Sequence, residues 1–188
     1  MRQPRKILAC VDQSDYATHV ADYAAWAATR LSSPLELLHV IDRHQEVASE
    51  IDRSGSIGMD AQENLLERLS QEEGERSRAA RDQGRLFLNG LKQRCEVHAQ
   101  VQIDTRQRYG QLLDTLQEQE STVAMYILGR RGESALHTRR DLGRHVEAIC
   151  RQIKRPVMTV SDDFKAPKSV LVAFDGGKMT RRGIELLA

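Results

Sequence analysis

Aromatic residues, cysteines and long apolar runs are all scarce in this chain. The first shortage limits what the core can be made of, and the other two exclude classes of protein. Aromatic residues make up only 4% of the sequence, so a folded core must rest on Leu, Ile, Val and Ala. No apolar stretch approaches the roughly 18–20 residues of a membrane span, and the apolar run at 7–11 is too short for a secretory signal. The sequence therefore predicts a globular, cytoplasmic protein.

Charge, cysteines and motifs narrow the class further. The net charge of +1 provides no global attraction to nucleic acid or to a membrane, and we expect neither as a partner. Cys10, Cys95 and Cys150 lack the spacing of a disulfide framework or a metal site, which predicts free thiols and no metal. The chain has no P-loop, no G-x-G-x-x-G motif and no nucleophile with a recognisable base, so we expect a binding protein and not an enzyme.

Short apolar segments alternate with longer amphipathic ones. The segments expected to form strands are 7–11, 35–41, 96–103, 123–128 and 156–160. Apolar stripes at helical spacing lie between them, with Ser14 as the expected N-cap of the first helix and Tyr109 in the third. Strict alternation predicts an α/β fold with a doubly wound, five-stranded parallel sheet. We expect the strand order 3-2-1-4-5, and the alternative is a less usual order.

The end of the chain repeats its beginning. Residues 169–177 align with residues 6–14, so that Asp175 falls on Asp12 after a similar apolar run. We therefore divide the chain into a domain at 1–162, a linker at 163–168 and the incomplete start of a second domain at 169–188. A strand and half a helix cannot bury a core. Either the sequence is a piece of a tandem protein, or this tail docks on a sheet edge in cis or on a partner chain.

Two features of the sequence meet where the expected strand order reverses, which is where doubly wound sheets bind ligands. Asp12 ends the first strand, and the Gly129-Arg-Arg-Gly132 turn follows the fourth and leads to a helix N-terminus that favours phosphate. Residues 129–155 hold eight Arg or Lys against three acidic residues, which also favours an anion. The alternatives are a helix cap for Asp12, an ordinary tight turn and a solvated arginine face. We expect His39 to be a packed, hydrogen-bonded histidine and not a ligand.

Several short motifs together resemble the universal stress protein family. They are Val-Asp-x-Ser after the first strand, Leu-Leu-His-Val in the second, and Leu-Gly-x-x-Gly leading to Leu-Gly and Pro-Val-x-x-Val. The resemblance covers residues 6–161 and begins again at 168. It implies a flavodoxin-like, adenine nucleotide alpha hydrolase-like fold and usually a dimer. Some members bind ATP with its Mg, and others lack the ATP motif and bind none. With Arg130 of the basic turn added, the candidate nucleotide-binding residues are Cys10, Val11, Asp12, Val40, Leu128, Gly129, Arg130, Gly132, Gly143, Arg144 and His145.

This sequence departs from the motif of the ATP-binding members at two places. Ten residues instead of nine separate Gly132 from Gly143, and Arg144 stands where the family has a small hydroxyl residue. An arginine there either pairs with phosphate as a charged fork or fills the pocket. Two functions follow. The first is a dimer that binds ATP or a related adenine nucleotide and acts in the stress response. The second is an interaction module without nucleotide, which forms a homodimer or pairs with its own second domain.

Overall fold

A twisted parallel sheet with helices on both faces forms the body of the protein. The computed structural model describes residues 4–41, 59–131, 144–161 and 163–187; within its helices, residues 59–70, 72–73, 144 and 186–187 are described by their backbone alone. The strands are β1 (Lys6–Cys10), β2 (Leu35–Ile41), β3 (Ile103–Tyr109), β4 (Val123–Gly129) and β5 (Val157–Val160). The sheet order is β3-β2-β1-β4-β5, and all four strand pairs are parallel. The predicted fold class and strand order are confirmed.

The helices follow the strands in alternation, as expected for right-handed crossovers. They are α1 (Ala17–Arg30), α2 (Met59–His98), α3 (Leu112–Gln119), α4 (Arg144–Gln152) and α5 (Lys178–Leu187), and a short 3₁₀ turn (Glu120–Thr122) follows α3. None of the helices, over the residues described, combines the length and apolarity needed to cross a membrane.

Alternate residues of the central strands fill two separate cores. Ile7 and Ala9 face one core with the alanine stripe of α1 and the second half of α2, while Leu8 faces the other core with α3 and α4. All three of these β1 side chains are fully buried. Because alanine has the smallest apolar side chain, the α1 stripe lets this helix lie close to the sheet. The scarcity of aromatic residues is thus compensated by close packing of small ones.

The third strand lies further along the chain than the sequence pattern indicated. Residues 96–98 continue α2, and β3 begins only at Ile103, so the predicted strand at 96–103 is wrong. Cys95 and Ala99 are buried four residues apart while Val97 between them is 76% exposed, which is helical spacing and not alternation. The true strand is an edge strand with polar outward side chains, and therefore has no apolar run. Tyr109 ends β3 and does not belong to the third helix.

The predicted N-cap of α1 is also wrong. The helix begins at Ala17 after Tyr16, whose side chain makes no capping bond. The backbone carbonyl of Ser14 accepts from the amide of Ala17 at 3.1 Å, but the Ser14 side chain bonds to Asp12 instead. The turn between β1 and α1 is therefore organised by an aspartate and not by a serine cap.

A buried ionic cluster lies at the opposite end of the sheet, where the strands begin. Glu36 of β2 is 5% exposed, and its Oε2 accepts from Lys6 Nζ at 2.8 Å and lies 3.5 Å from Arg106. Lys6 also donates to Gln119 at the end of α3 at 2.7 Å. The second carboxylate oxygen, Oε1, is buried without a hydrogen-bond partner among the described residues. Such a cluster fixes the relative positions of its side chains but adds little net stability to the fold. The reason is that the desolvation of buried charges offsets much of the attraction between them.

The tail of the chain forms a helix but no strand. Residues 169–175 have no strand partner within the described part of the chain, which differs from the expected strand, while α5 matches the expected helix. Leu171 is 98% exposed and Val170 is 62% exposed. Closer to the domain, Phe164 contacts the ring of Tyr23 in α1 edge-on, with 4.9 Å between centroids. The linker is therefore attached to α1 at its start, and the apolar run beyond it faces solvent.

Candidate functional site

The ends of β1 and β4 lie side by side in the centre of the sheet. Cys10, the last residue of β1, is in register with Leu128 of β4 and with Leu38 of β2. Hydrogen bonding continues one residue past each strand, since Val11 donates to the carbonyl of Leu38 at 2.9 Å and Arg130 donates to the carbonyl of Val160 at 2.7 Å. The segments that carry Asp12 and the basic turn therefore leave the sheet from adjacent positions, at the point where strand order reverses.

Asp12 is half-buried and organises the turn that leads into α1. Its Oδ1 accepts from the backbone amide of Ser14 at 3.2 Å and from the Ser14 hydroxyl. This is the Asx-turn arrangement in which an aspartate side chain bonds to the backbone two residues on. The predicted capping role of Asp12 is thus present in another form, and the carboxylate is held at the carboxyl end of β1.

An apolar wall lies beside Asp12 on the side of the sheet covered by α3 and α4. Leu128 belongs to that core, and Cys10 and Val40 pack against it as partly buried side chains. Burial raises the pKa of the Cys10 thiol, and the carboxyl of Asp12 raises that pKa further. The thiol therefore stays protonated at neutral pH and forms part of an apolar surface, because only a thiolate would act as a nucleophile.

Gly129 is enclosed by protein atoms. A Cβ built on it would lie 2.9 Å from the carbonyl oxygen of Arg131 and 3.2 Å from Cβ of Tyr16. The glycine is thus required for the close approach of the β4 end to the start of α1. Tyr16 is a site-neighbouring residue that sequence reasoning missed. The available signal was its place as one of very few aromatic residues, directly before the first helix.

The basic turn is only partly within the described residues. Arg130 is exposed and Arg131 is half-buried, whereas Gly132 and Gly143 lie outside the residues that the structure describes. Arg144 is the first residue of α4, with its backbone alone described, and His145 is exposed in the first turn. The described start of the turn, at Arg130 and Arg131, therefore follows the strand that is paired with the one Asp12 follows.

Part of the positive charge counted in the sequence lies far from this site. Arg151 pairs with Glu147 at 2.9 Å in α4, and Arg155 donates to the backbone carbonyl of Glu120 at 3.1 Å. Because α4 runs antiparallel to the strands, its end lies near the strand beginnings, opposite the ends of β1 and β4. The charge excess of 129–155 is accordingly smaller at the site than the sequence indicated.

His39 of β2 is buried beneath the end of β1. Its Nδ1 lies 3.0 Å from the backbone carbonyl oxygen of Val11, the residue directly before Asp12. The prediction of a packed, hydrogen-bonded histidine is confirmed. The Leu-Leu-His-Val motif was the signal for it, but the partner could not be deduced from sequence because it lies 28 residues away.

Comparison with known proteins agrees with the fold described above. A model of the universal stress protein family matches residues 4–161. Universal stress protein Slr1230 of Synechocystis is 31% identical over 185 residues, which is 98% of this chain and 64% of that protein. The chain thus spans less than two thirds of this relative.

Solved structures of similar fold include universal stress protein UspA from Lactobacillus plantarum. That structure has 21% identity, a TM-score of 0.52, and coverage of 85% of this chain and 99% of the other. A universal stress protein in complex with cAMP has 16% identity, a TM-score of 0.52, and coverage of 85% of this chain and 98% of the other. At these identities the similarity shows the fold alone.

Proposed function

The chain belongs to the universal stress protein family, and from that premise we propose that it binds ATP or a related adenine nucleotide where β1 and β4 end. The observation that carries the proposal is the register of Cys10 with Leu128, which brings Asp12 and the basic turn to one edge of the sheet. Ligands of doubly wound folds bind at this reversal of strand order. We propose further that binding, and not catalysis, is the function.

The chemistry of the residues suits the base and sugar of such a ligand. Asp12 accepts hydrogen bonds, and a ribose hydroxyl or a base amine donates them. Cys10, Val40 and Leu128 supply an apolar wall on one face of the sheet for a flat base. A related structure contains cAMP, an adenine nucleotide, in a protein of the same fold. In the proposed complex Arg130 would face the phosphates, and Mg would enter with the nucleotide.

Calorimetry with ATP and AMP at low salt tests the proposal. Asp12→Asn removes the negative charge with little change of shape, and we expect it to weaken ATP binding about tenfold, as for loss of a charged hydrogen bond. Asp15→Asn is the matched control, because Asp15 is an exposed aspartate three residues further on. We expect it to change affinity less than twofold. Absence of binding heat in the wild-type protein would overturn the proposal.

A second function is favoured by the enclosed Gly129 and by Arg144. In this alternative the domain binds no nucleotide and serves as a module for homodimerisation or for pairing with a second domain. Gly129 then serves for packing against Tyr16. Arg144, which replaces the small hydroxyl residue of the ATP-binding motif, would in this alternative take the place of the phosphate. Native mass spectrometry of protein purified without added ligand separates the two. Copurified adenine nucleotide counts against this alternative, and a nucleotide-free dimer supports it.

We also propose that residues 169–187 are the first strand and helix of a second domain of the same kind. Asp175 Oδ1 accepts from the amide of Gly177 at 2.7 Å, which repeats the bond between Asp12 and the amide of Ser14 before α1. It also accepts from the Thr180 hydroxyl at 2.6 Å. The apolar run 170–174 matches β1, yet its side chains are exposed. Amide hydrogen exchange tests this. We expect fast exchange at 170–174 in this chain, and protection comparable to β1 would show that the run belongs to the first domain.

A further inference from the structure

His39 lies directly below the candidate nucleotide site and is 7% exposed. It belongs to β2, and its side chain reaches past the end of β1 to the carbonyl oxygen of Val11 at 3.0 Å. A backbone carbonyl only accepts hydrogen bonds, so Nδ1 carries the proton in this bond. The tautomer of the ring is thereby assigned by its partner.

With this bond, both backbone polar groups of the residue that precedes Asp12 are hydrogen-bonded. Val11 is 4% exposed, and its amide donates to the carbonyl of Leu38 at 2.9 Å while its carbonyl accepts from His39. Both polar groups of this residue are thus attached to β2, although β1 itself has ended at Cys10. Without the imidazole the buried carbonyl of Val11 would lose this partner, which costs free energy and loosens the backbone.

The ring of His39 has little freedom to move. Phe87 of α2 contacts it edge-on with 5.7 Å between ring centroids, and Gln107 of β3 is its register neighbour. A Cβ on Gly84 would lie 3.2 Å from the ring carbon Cδ2 and 2.3 Å from Gln107 Nε2, so the absence of a side chain there lets α2 cover both groups closely. The imidazole therefore acts as a rigid donor.

We propose that His39 is the positioning residue of the nucleotide site, and that it acts through the Val11 carbonyl to hold the Asp12 carboxylate in place for the ligand. This inference rests on the proposed function. The covalent path from the histidine bond to Asp12 is short, because the bonded carbonyl belongs to the peptide bond that joins Val11 to Asp12. Asp12 is also bonded to Ser14, and that turn sets the side chain relative to its own loop.

The test uses two substitutions at one position. His39→Asn retains an N–H donor on the atom next to Cγ, as in Nδ1 of histidine, whereas His39→Leu retains bulk without a donor. Leu91→Ala is the control for general destabilisation, because Leu91 is a buried core residue of α2, one turn beyond the residue that contacts the imidazole. ATP affinity is measured by calorimetry at a temperature where every variant is folded, together with the urea midpoint of each.

We expect His39→Leu to weaken ATP binding about tenfold, which is the size of one lost hydrogen bond, and His39→Asn to remain within about threefold of wild type. Leu91→Ala should lower the urea midpoint without changing affinity. In an Asp12→Asn background, His39→Leu should weaken binding less than twofold further, because its effect passes through that carboxylate.

The outcomes separate the two hypotheses. Wild-type protein that does not bind ATP overturns the proposed function and this inference with it. Wild-type protein that binds ATP and is weakened by Asp12→Asn, but not by His39→Leu, overturns the inference alone. An equal effect of His39→Leu with and without Asp12 also overturns it, since the histidine would then act independently of the carboxylate.

Discussion

Gly129 offers the sharpest test of the packing at the candidate site. In Gly129→Ala the new methyl group would lie 2.9 Å from the Arg131 carbonyl oxygen and 3.2 Å from Tyr16 Cβ. Neither atom is the end of a flexible side chain, so backbone must move to make room. Overpacking of this kind costs about 1–3 kcal/mol. The lower entropy of an unfolded chain with alanine offsets about 0.4–1 kcal/mol of this. We predict a net loss of about 1–2 kcal/mol.

Gly90→Ala makes the same chemical change where there is space. Gly90 is exposed in α2, and a Cβ there meets nothing within 4 Å. Alanine is favoured over glycine in a helix interior by about 1 kcal/mol, so this variant should be more stable than wild type. Urea denaturation followed by circular dichroism measures both. With a slope of about 1–3 kcal/mol per M urea, the two midpoints should differ by about 1 M.

The result that would refute this reasoning is a Gly129→Ala variant with the urea midpoint of Gly90→Ala. The end of β4 would then have room for a side chain. In that case packing would not require glycine at position 129, and the remaining reason for it would be the close approach of a ligand. The comparison also bears on function, because a bulky substitution at Gly129 disturbs Tyr16 and the turn even when no ligand is present. Loss of binding in such a variant would therefore not identify a phosphate contact.

Three further predictions concern buried polar groups. Glu36→Ala leaves the ammonium of Lys6 without its carboxylate and should destabilise the domain by about 2–4 kcal/mol in urea denaturation. A Glu36→Ala variant as stable as wild type would contradict the buried pair. Burial raises the pKa of Cys95 to about 12, so its reactive thiolate is absent below about pH 10. A maleimide at pH 8 should therefore modify exposed Cys150 and spare Cys95 in the folded protein. Equal labelling of the two cysteines would contradict the packing around Cys95. Tyr126→Phe removes a 2.7 Å bond to a carbonyl of α3 and should cost about 1–3 kcal/mol by the same denaturation assay, whereas unchanged stability would show that the bond contributes nothing.

The fold was predictable from the sequence because its central strands are buried on both faces. Buried strands such as β1 and β4 are continuous apolar runs, and their positions were predicted to within one residue. β3 was not, because an edge strand needs no such run and because the buried spacing of Cys95 and Ala99 is shared by a helix and by partial alternation. The physical signal for an edge strand is weak by nature.

The candidate site was predictable only as far as topology determines it. Strand order alone brings Asp12 next to the turn after β4, since both follow adjacent parallel strands. The contacts of Tyr16 with Gly129 and of His39 with Val11 depend on side-chain packing between residues far apart in sequence. No periodicity or motif encodes such contacts, so they required coordinates.

The most direct measurement of the central claim is an NMR titration of isotope-labelled protein with ATP, which reports on each backbone amide. The site proposed here predicts shifts concentrated at residues 10–14 and 128–131, with no shift at the strand beginnings around Lys6, Leu35 and Val123. Shifts centred on the strand beginnings, or none at millimolar ATP, would contradict a nucleotide site at the ends of β1 and β4.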